Sequence, residues 1–380
     1  MSKNIISEVL LEVAEAIETG NFGKKIKVGI TTLGSEHGPE NIIKGAKLAK
    51  NDLFDIVLIG SKVDGFESYE FETEDEAHKK MEELLDSGDI SACVTMHYNF
   101  PIGVSTVGRV ITPSEGREMF IATTTGTSAT DRVEAMVRNT LSGIATAKAV
   151  GIENPKVGII NIEGARQTEK ILIELKEKGY NFEFTESKRA DGGSVMRGND
   201  LLMGTPDVMV TDSLTGNLFM KIFSSYTTGG NYEALGYGYG PGVGENYDRK
   251  VLILSRASGS PVVAKALQYA FEVAKGDVSE KARIEYSNAE KAGLSEIFKN
   301  LKNKKQDTAK TEEIVMPEKE VVTSSIAGVD ILDLEDAVKV LWKNKVYAES
   351  GMGCTGPIIL VHPDKEELAT KILKEENLIS

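Results

Sequence analysis

The chain has 380 residues, of which 41% are hydrophobic and 27% charged, a composition that suits one large α/β domain or two compact lobes. Its formal net charge of −14 argues against nucleic-acid binding, which requires a concentrated basic face. No segment approaches the roughly 20 consecutive apolar residues of a membrane span, and the four histidines and two cysteines lack the spacing of a zinc site.

The first predicted element is an N-terminal docking helix within residues 1–25, because Ile5, Val9, Val13 and Ile17 recur at four-residue spacing. Glutamates interrupt its apolar positions, so the segment lacks the pattern of a secretory signal. With only two cysteines in the chain, we expect a cytoplasmic protein with reduced thiols.

Short apolar runs then alternate with amphipathic stretches, which is typical of βαβ units. Most of the runs are rich in β-branched residues and are followed by Gly, Ser, Thr or Asn, as strand-to-helix turns require. The predicted strands are Ile26–Thr31, Ile56–Ile59, Ser91–Thr95, Met119–Thr123, Val157–Ile160, Val208–Thr211, Val251–Leu254 and Ile358–Val361. We therefore predict an α/β fold with a largely parallel, doubly wound sheet in α/β/α layers.

Two segments break this alternation. Residues 231–246 contain five glycines and one proline, which favours a long connection over a helix or a central strand. Residues 300–320 are rich in Lys, Gln and Glu, which indicates a linker or a surface excursion. Beyond them we expect a helix around 334–345, a glycine-rich turn, an apolar strand and a final charged helix.

The turn after the first strand reads Gly34-Ser-Glu-His37-Gly38-Pro39-Glu40. Glycine permits close backbone approach, and proline suits the first turn of a helix. The free N–H groups of such a helix start favour an anion such as phosphate. Ordinary turns use the same residues, so this signal is weak when taken alone.

A denser polar cluster follows the strand that ends at Thr211 and reads Asp212-Ser213-Leu-Thr215-Gly216-Asn217, with Lys221 one turn further on. Open α/β sheets bind ligands at the carboxyl ends of their strands. Asn217 can donate to an acyl or phosphoryl oxygen, and the hydroxyls can contact phosphate. Capping of the helix by Ser213 or Thr215 is the alternative interpretation.

The remaining candidates are a third turn and two thiols. Arg256-Ala-Ser258-Gly259-Ser260 begins another helix, and Arg256 offers either a cation for an anion or a surface ion pair. Cys354 is flanked by glycines and is therefore sterically open, so that its thiolate could accept an acyl group. Cys93 lies in a predicted strand, where a cysteine is usually a small buried hydrophobe.

Several of these motifs, in fixed order, resemble those of the PlsX-type phosphate acyltransferases over residues 26–275. The matching segments are Gly34 to Glu40 with Gly45-Ala46, Gly88 to Ala92, Asn154 to Ile162, Pro206 to Asp212, Thr215 to Asn217, Gly242, and Gly259-Ser260. The resemblance implies a fold like that of isocitrate and isopropylmalate dehydrogenases and phosphotransacetylases, and synthesis of acyl phosphate from an acyl thioester and phosphate. It also implies that Lys170 corresponds to an active-site lysine.

The chain departs from that pattern at Met96-His97-Tyr98-Asn99-Phe100-Pro101 and in its C-terminal extension. The motif Gly351-Met-Gly353-Cys354-Thr-Gly-Pro357 resembles the alpha subunits of component C of glycine, sarcosine and betaine reductases. That resemblance implies conversion of an acetyl thioester and inorganic phosphate to acetyl phosphate, with Cys354 as acetyl acceptor and Cys93 as the second candidate. It implies a beta subunit and a selenoprotein component A as partners, an oligomer, and no tightly bound cofactor.

The expected organisation is an N-terminal helix (1–25), a PlsX-like domain (26–299), a linker (300–320) and an extension (321–380). Three alternatives remain open at this stage. The chain could act on a longer acyl thioester, or it could be a non-catalytic scaffold of the same complex. A nicotinamide-dependent dehydrogenase is disfavoured, because Gly236-Tyr-Gly238-Tyr-Gly240 lies in a long loop and not in a βα turn.

Overall fold

The structure is a computed structural model that describes residue 13 and residues 25–189, 192–308, 316–331, 333–353, 356–376 and 378–379. The helix predicted within residues 1–25 lies outside the described residues, apart from Val13 and Lys25. The described chain forms two compact units. The first comprises residues up to Asp131, Ala135–Ile160 and Asn181–Asn288, and the second comprises Arg132–Glu134, Asn161–Tyr180 and residues from Ala289 onward.

The strands alternate with helices along most of the chain. The strands are β1 Ile26–Thr31, β2 Phe54–Gly60, β3 Glu67–Glu70, β4 Ala92–Thr95, β5 Val104–Ile111, β6 Glu118–Thr127, β7 Lys156–Ile160, β8 Glu183–Phe184, β9 Val195–Met196, β10 Val208–Val210, β11 Gly240–Val243, β12 Val251–Ile253, β13 Ser324–Ala327, β14 Ala348–Gly353 and β15 Gly356–Val361. The helices are α1 Gly38–Ala49, α2 Glu74–Ser87, α3 Arg132–Ala149, α4 Ala165–Glu177, α5 Gly198–Met203, α6 Ser213–Ser225, α7 Ser260–Lys275, α8 Val278–Lys291, α9 Leu294–Thr308, α10 Leu334–Lys343 and α11 Glu366–Glu375.

All eight predicted strands are confirmed, with ends that differ by at most a few residues. The segment interpreted as a linker is helical up to Thr308, in α9, and residues 309–315 lie outside the described residues. The glycine-rich turn expected before the last strand was wrong in part, because Gly351 and Gly353 belong to β14. That strand pairs antiparallel with β15, and its glycines take part in the backbone pairing although they have no side chain.

Twelve described strands of the first unit form one mostly parallel sheet in the order β3-β2-β1-β4-β12-β11-β5-β6-β10-β7-β8, with β9 beside β7. Pairing is antiparallel from β12 to β11, from β11 to β5 and from β5 to β6. Three reversals mean that β6, β10 and β7 run opposite to β1, β4 and β12. The predicted α/β class is confirmed, and the sheet is mixed in direction.

Strand β11 corrects the prediction of a loop over residues 231–246. It lies in the middle of the sheet, between β12 and β5, and is fully buried. Its glycines have a steric reason: a Cβ at Gly240 would lie 1.7 Å from the carbonyl oxygen of Val107, and one at Gly242 would lie 2.3 Å from the Phe100 ring. The glycine content therefore reflects close packing within a strand.

Helices cover both faces of the part of the sheet that contains β1. Successive residues of a strand point to opposite faces, so each face presents side chains that a helix can cover. On one face, Ile59 and Cys93 join an apolar cluster with Ala77 and Met81 of α2. On the other face, α1 packs closely on α7, where a Cβ at Gly45 would lie 2.4 Å from Val263.

The second unit contains a separate antiparallel sheet in the order β13-β15-β14. Ala337 and Leu341 of α10, together with Ala369 and Leu373 of α11, are buried in one core with the strand residues. Among the helices that the structure describes, none combines the length and the apolar character that crossing a bilayer demands.

Candidate active site

A cleft of about 470 Å³ opens in the first unit, beside helix α6. Its walls come from the segment after β4, the end of β6, the exposed side of α6, and the end of β12. The lining residues are Met96, His97, Tyr98, Asn99, Phe100, Ile102, Thr125, Gly126, Thr127, Asn217, Lys221, Tyr239, Ile253, Leu254 and Ser255. This size and mixed lining suit a small polar ligand with a short apolar part.

Helix α6 is anchored at its first turn. Asp212 is the N-cap, and its carboxylate accepts hydrogen bonds from the backbone N–H and the hydroxyl of Thr215, both at 2.9 Å. The alternative interpretation, capping by Ser213 or Thr215, is wrong, because Asp212 is the cap and Ser213 is the first helical residue. Gly216 lets the helix lie against strand β6, since a Cβ there would be 1.7 Å from the carbonyl oxygen of Thr123.

This anchoring brings Asn217 and Lys221 into the cleft, because residues four apart share one side of a helix. The side-chain amide of Asn217 donates to the carbonyl oxygen of Thr124 at 3.2 Å. An amide nitrogen carries two hydrogens, so a second donor remains for a bound ligand.

The ammonium group of Lys221 supplies positive charge to the cleft. It lies 5.9 Å from the centre of the Tyr239 ring, close enough for a cation–π contact. Within the described ranges, no carboxylate lies within 4.0 Å of its Nζ atom. A side chain that is exposed and not neutralised by a carboxylate is suited to bind an anion.

The ring beneath Lys221 is held from its buried side. The hydroxyl of Tyr239 donates to Glu233 at 3.1 Å, and the hydroxyl of Ser258 donates to the same carboxylate at 2.8 Å. Burial is the main cause that raises the pKa of Tyr239, so its hydroxyl stays protonated as a donor. Glu233 thereby connects the cleft to the turn that begins α7.

The opposite wall is the segment after β4, which sequence reasoning noted only as a departure from a family pattern. Tyr98 donates to Glu82 at 2.7 Å and accepts from Arg249 at 3.1 Å, which ties the wall to α2 and to the start of β12. Burial first, and then the bond to Glu82, raise the pKa of Tyr98. His97 and Asn99 are exposed in this wall, and no motif of the chain indicated them in advance.

The two other predicted turns meet each other. His37 Nε2 lies 3.3 Å from the carbonyl oxygen of Ala257, and Asn41 donates to the carbonyl oxygen of Ser258 at 2.9 Å. Gly34 and Gly38 have φ angles of 90° and 77°, in the left-handed region that favours glycine.

Of the two predicted roles for Arg256, the ion pair is the one seen, since it contacts Glu74 at 3.2 Å. Because β1 and β10 run in opposite directions, the turn of Gly34, His37 and Gly38 and the turn of Asp212 to Asn217 leave the sheet in opposite directions. Among the described residues that line the cleft, Ser255 comes nearest in sequence to Ser258 and Gly259.

The predicted thiols and lysine differ in their surroundings. Cys354 lies outside the described residues. Cys93 is fully buried in β4, and burial raises the pKa of its thiol, which makes it unsuited to act as a nucleophile. Lys170 lies on α4 in the second unit, where its charge opposes the burial that raises the pKa of Asp333.

Comparison with known proteins assigns the chain to a family. Residues 26–360 match the family described as fatty acid synthesis protein. The chain is 63% identical, over 100% of its length and 99% of the relative, to the glycine/sarcosine/betaine reductase complex component C subunit alpha of Peptoclostridium acidaminophilum.

More distant matches cover part of the chain. A phosphate acyltransferase of Thermotoga neapolitana is 29% identical over 52% of this chain and 68% of the relative. A branched-chain phosphotransacylase structure from Enterococcus faecalis is 14% identical, covers 65% of this chain and 98% of that one, and has a TM-score of 0.44. The chain belongs to the fatty acid synthesis protein family and, within it, to the family of component C alpha subunits of the glycine/sarcosine/betaine reductase complex.

Proposed function

We propose that this chain converts an acyl thioester and inorganic phosphate into an acyl phosphate and a free thiol. Two similarities support the reaction type: the 63% identity to a reductase component C alpha subunit and the partial match to a phosphate acyltransferase. The proposed acyl group is acetyl. The proposed partners are a component C beta subunit and the selenoprotein component A, which delivers the acyl group.

The observation that carries the proposal is the pair of Asn217 and Lys221 on one side of α6, in a cleft of about 470 Å³. Lys221 binds phosphate through its charge, and phosphate is the only substrate besides the thioester. No tightly bound cofactor is needed, because both bond changes are polar.

The step balances as follows. A phosphate oxygen attacks the thioester carbonyl, a C–O bond forms, and negative charge develops on the carbonyl oxygen. The amide of Asn217 donates to that oxygen, an interaction that typically lowers such a barrier by about 2.7–4 kcal/mol. The C–S bond then breaks, and the thiolate takes the proton released by hydrogen phosphate.

Cys354 is the proposed carrier of the acetyl thioester, on the resemblance of its glycine-flanked motif, and Lys170 the proposed second cation. The turns with Gly34, His37 and Gly38 and with Ser258 and Gly259 remain proposed anion sites. Their backbone N–H groups at helix starts are the supporting feature.

The deciding experiment is breakdown of acetyl phosphate by arsenate with the purified chain, followed over a range of arsenate concentrations. Lys221→Met should raise the KM for arsenate at least tenfold, because the anion loses its countercharge. Asn217→Ala should lower kcat by roughly 10²–10³-fold. Lys47→Met, on the exposed side of α1, is the matched control and should change neither value.

Mass spectrometry of the same incubation reads out the covalent step as an acetyl adduct at Cys354 that is absent in Cys354→Ser. A folded chain with no turnover would refute the proposal and leave a scaffold role. Equal KM values for Lys221→Met and Lys47→Met would remove Lys221 from the anion site.

A further inference from the structure

The cleft has a polar side and an apolar side. Asn217 and Lys221 of α6 supply the polar side, and the opposite wall, after β4, contributes the ring of Phe100. An acyl phosphate has the same two parts, a charged phosphate and an alkyl chain. When its phosphate lies at Lys221, the alkyl chain points at the apolar wall, because apolar groups are stabilised by leaving water. Phe100 is therefore the side chain that the end of the acyl group approaches.

The ring of Phe100 is a rigid part of this wall. It lies against Gly242 of β11, where an added Cβ would be 2.3 Å from the ring atom Cε1. The rings of Tyr98 and Tyr247 contact it edge to face, with ring centres 5.1 and 5.8 Å away. Tyr98 is in turn fixed by its hydrogen bonds to α2 and to the start of β12. A ring packed on three sides cannot move aside for a longer ligand at low cost.

The same ring separates the cleft from the backbone of the sheet. Strand β11 lies between β12 and β5, and Gly242 has no side chain to fill the space above it. Phe100 fills that space from the wall, on the apolar cluster that contains Cys93 and Met81. Removal of the phenyl group would extend the cleft to the backbone of β11, into surroundings that suit an alkyl chain.

We propose that Phe100 determines the length of the acyl group and restricts the cleft to acetyl. The inference rests on the proposed function, because that function assigns the phosphate to Lys221. A longer acyl chain meets the ring, and each extra methylene in a fitted apolar pocket typically changes selectivity by roughly 10–200-fold. Phe100 contacts the unreactive end of the substrate and takes no part in the bond changes, so its role is specificity.

The test is the affinity of the full-length chain for two phosphonates, measured by isothermal titration calorimetry. (2-Oxopropyl)phosphonate resembles acetyl phosphate with a methylene in place of the bridging oxygen, and (2-oxopentyl)phosphonate resembles butyryl phosphate in the same way. Neither is cleaved, so binding is measured without turnover. We expect the unaltered chain to bind the longer compound at least about tenfold more weakly than the shorter one. Phe100→Ala should bind the longer compound at least as tightly as the shorter one, because the added methylenes become buried.

Phe66→Ala is the matched control. Phe66 is partly buried like Phe100, lies beneath the ammonium of Lys50 at 5.2 Å, and does not belong to the lining of the cleft. This variant should keep the affinity ratio of the unaltered chain. Phe100→Leu covers the case in which Phe100→Ala fails to fold, because leucine keeps apolar bulk over Gly242. Its affinity ratio should lie between those of the unaltered chain and Phe100→Ala.

The outcomes separate this inference from the proposed function. Folded Phe100→Ala or Phe100→Leu with the affinity ratio of the unaltered chain would overturn the role of Phe100, as would an unaltered chain that binds both phosphonates equally. An unaltered chain that binds neither would refute the anion site at Lys221 and the inference with it. The expected ratios without any breakdown of acetyl phosphate by arsenate would refute the proposed reaction and support the role of Phe100.

Discussion

Burial governs the chemistry of Cys93. The thiol is enclosed in the apolar cluster between β4 and α2, and burial raises its pKa. An unfolded cysteine has a pKa near 8.5, so above about pH 8.5 the unfolded chain loses a proton that the folded chain keeps. Stability from this group is therefore fully present below that pH and falls above it, by up to about 1.4 kcal/mol per pH unit.

We therefore predict that Cys93→Ala reduces the loss of stability between pH 8 and pH 9.5. Both the variant and its parent carry Cys354→Ser, so that Cys93 is the thiol that differs. Urea unfolding at several pH values measures the slope, and tyrosines with raised pKa values contribute equally to both chains. The same slope in both would contradict the burial argument.

At the scale of the element, the geometry of α6 depends on Gly216. A methyl group there would overlap the carbonyl oxygen of Thr123, so the helix would have to move away from β6. We predict that Gly216→Ala costs about 1–3 kcal/mol of stability and displaces Asn217 and Lys221, with a larger loss in acetyl-phosphate turnover than in stability.

Gly198→Ala is the matched control for this substitution. Gly198 also lies in a helix, but nothing stands within 4 Å of an added Cβ. Its expected effect on unfolding is neutral or stabilising by up to about 1 kcal/mol. Comparable losses of stability in the two variants would contradict the claim that the close approach of α6 to β6 causes the effect of Gly216→Ala.

Local sequence predicted most elements and two of the fifteen residues that line the cleft. Runs of β-branched residues identified the eight expected strands, and polar residues after β10 identified Asn217 and Lys221. Strand β11 was not predicted, because its residues, Gly-Pro-Gly-Val, have no strand preference of their own. They pair only because β12 and β5 flank them. Strand direction was not predicted for a related reason, since it relates segments far apart in the chain. The opposite directions in which the two predicted anion turns leave the sheet were therefore not predicted either.

At the scale of the whole molecule, the second unit is assembled from distant parts of the chain. Asp330, which is buried, accepts hydrogen bonds from the backbone N–H groups of Gly164 and Arg166 at 3.4 and 3.1 Å, at the start of α4. A carboxylate there satisfies free donors and complements the helix dipole. The contact joins segments that are 166 and 164 residues apart.

We predict that Asp330→Ala destabilises this unit by about 0.5–2 kcal/mol, the usual cost of losing such a cap. Chemical denaturation followed by the fluorescence of Trp342, which packs on the same core, measures the change. Asp364→Ala, at an exposed aspartate, should stay within about 0.5 kcal/mol of the parent. A midpoint for Asp330→Ala that matches that control would contradict the capping role.

Strand β11 has only four residues, yet it joins the flank that contains β1 to the flank that contains β10. The backbone ladder between the two flanks passes through these residues, with the Phe100 ring packed over Gly242 where other strands have their own side chains. Local opening at this point would leave each flank with a bare edge. The large sheet can therefore unfold cooperatively, as one unit, only while the short strand β11 and the Phe100 ring that packs on it stay in place.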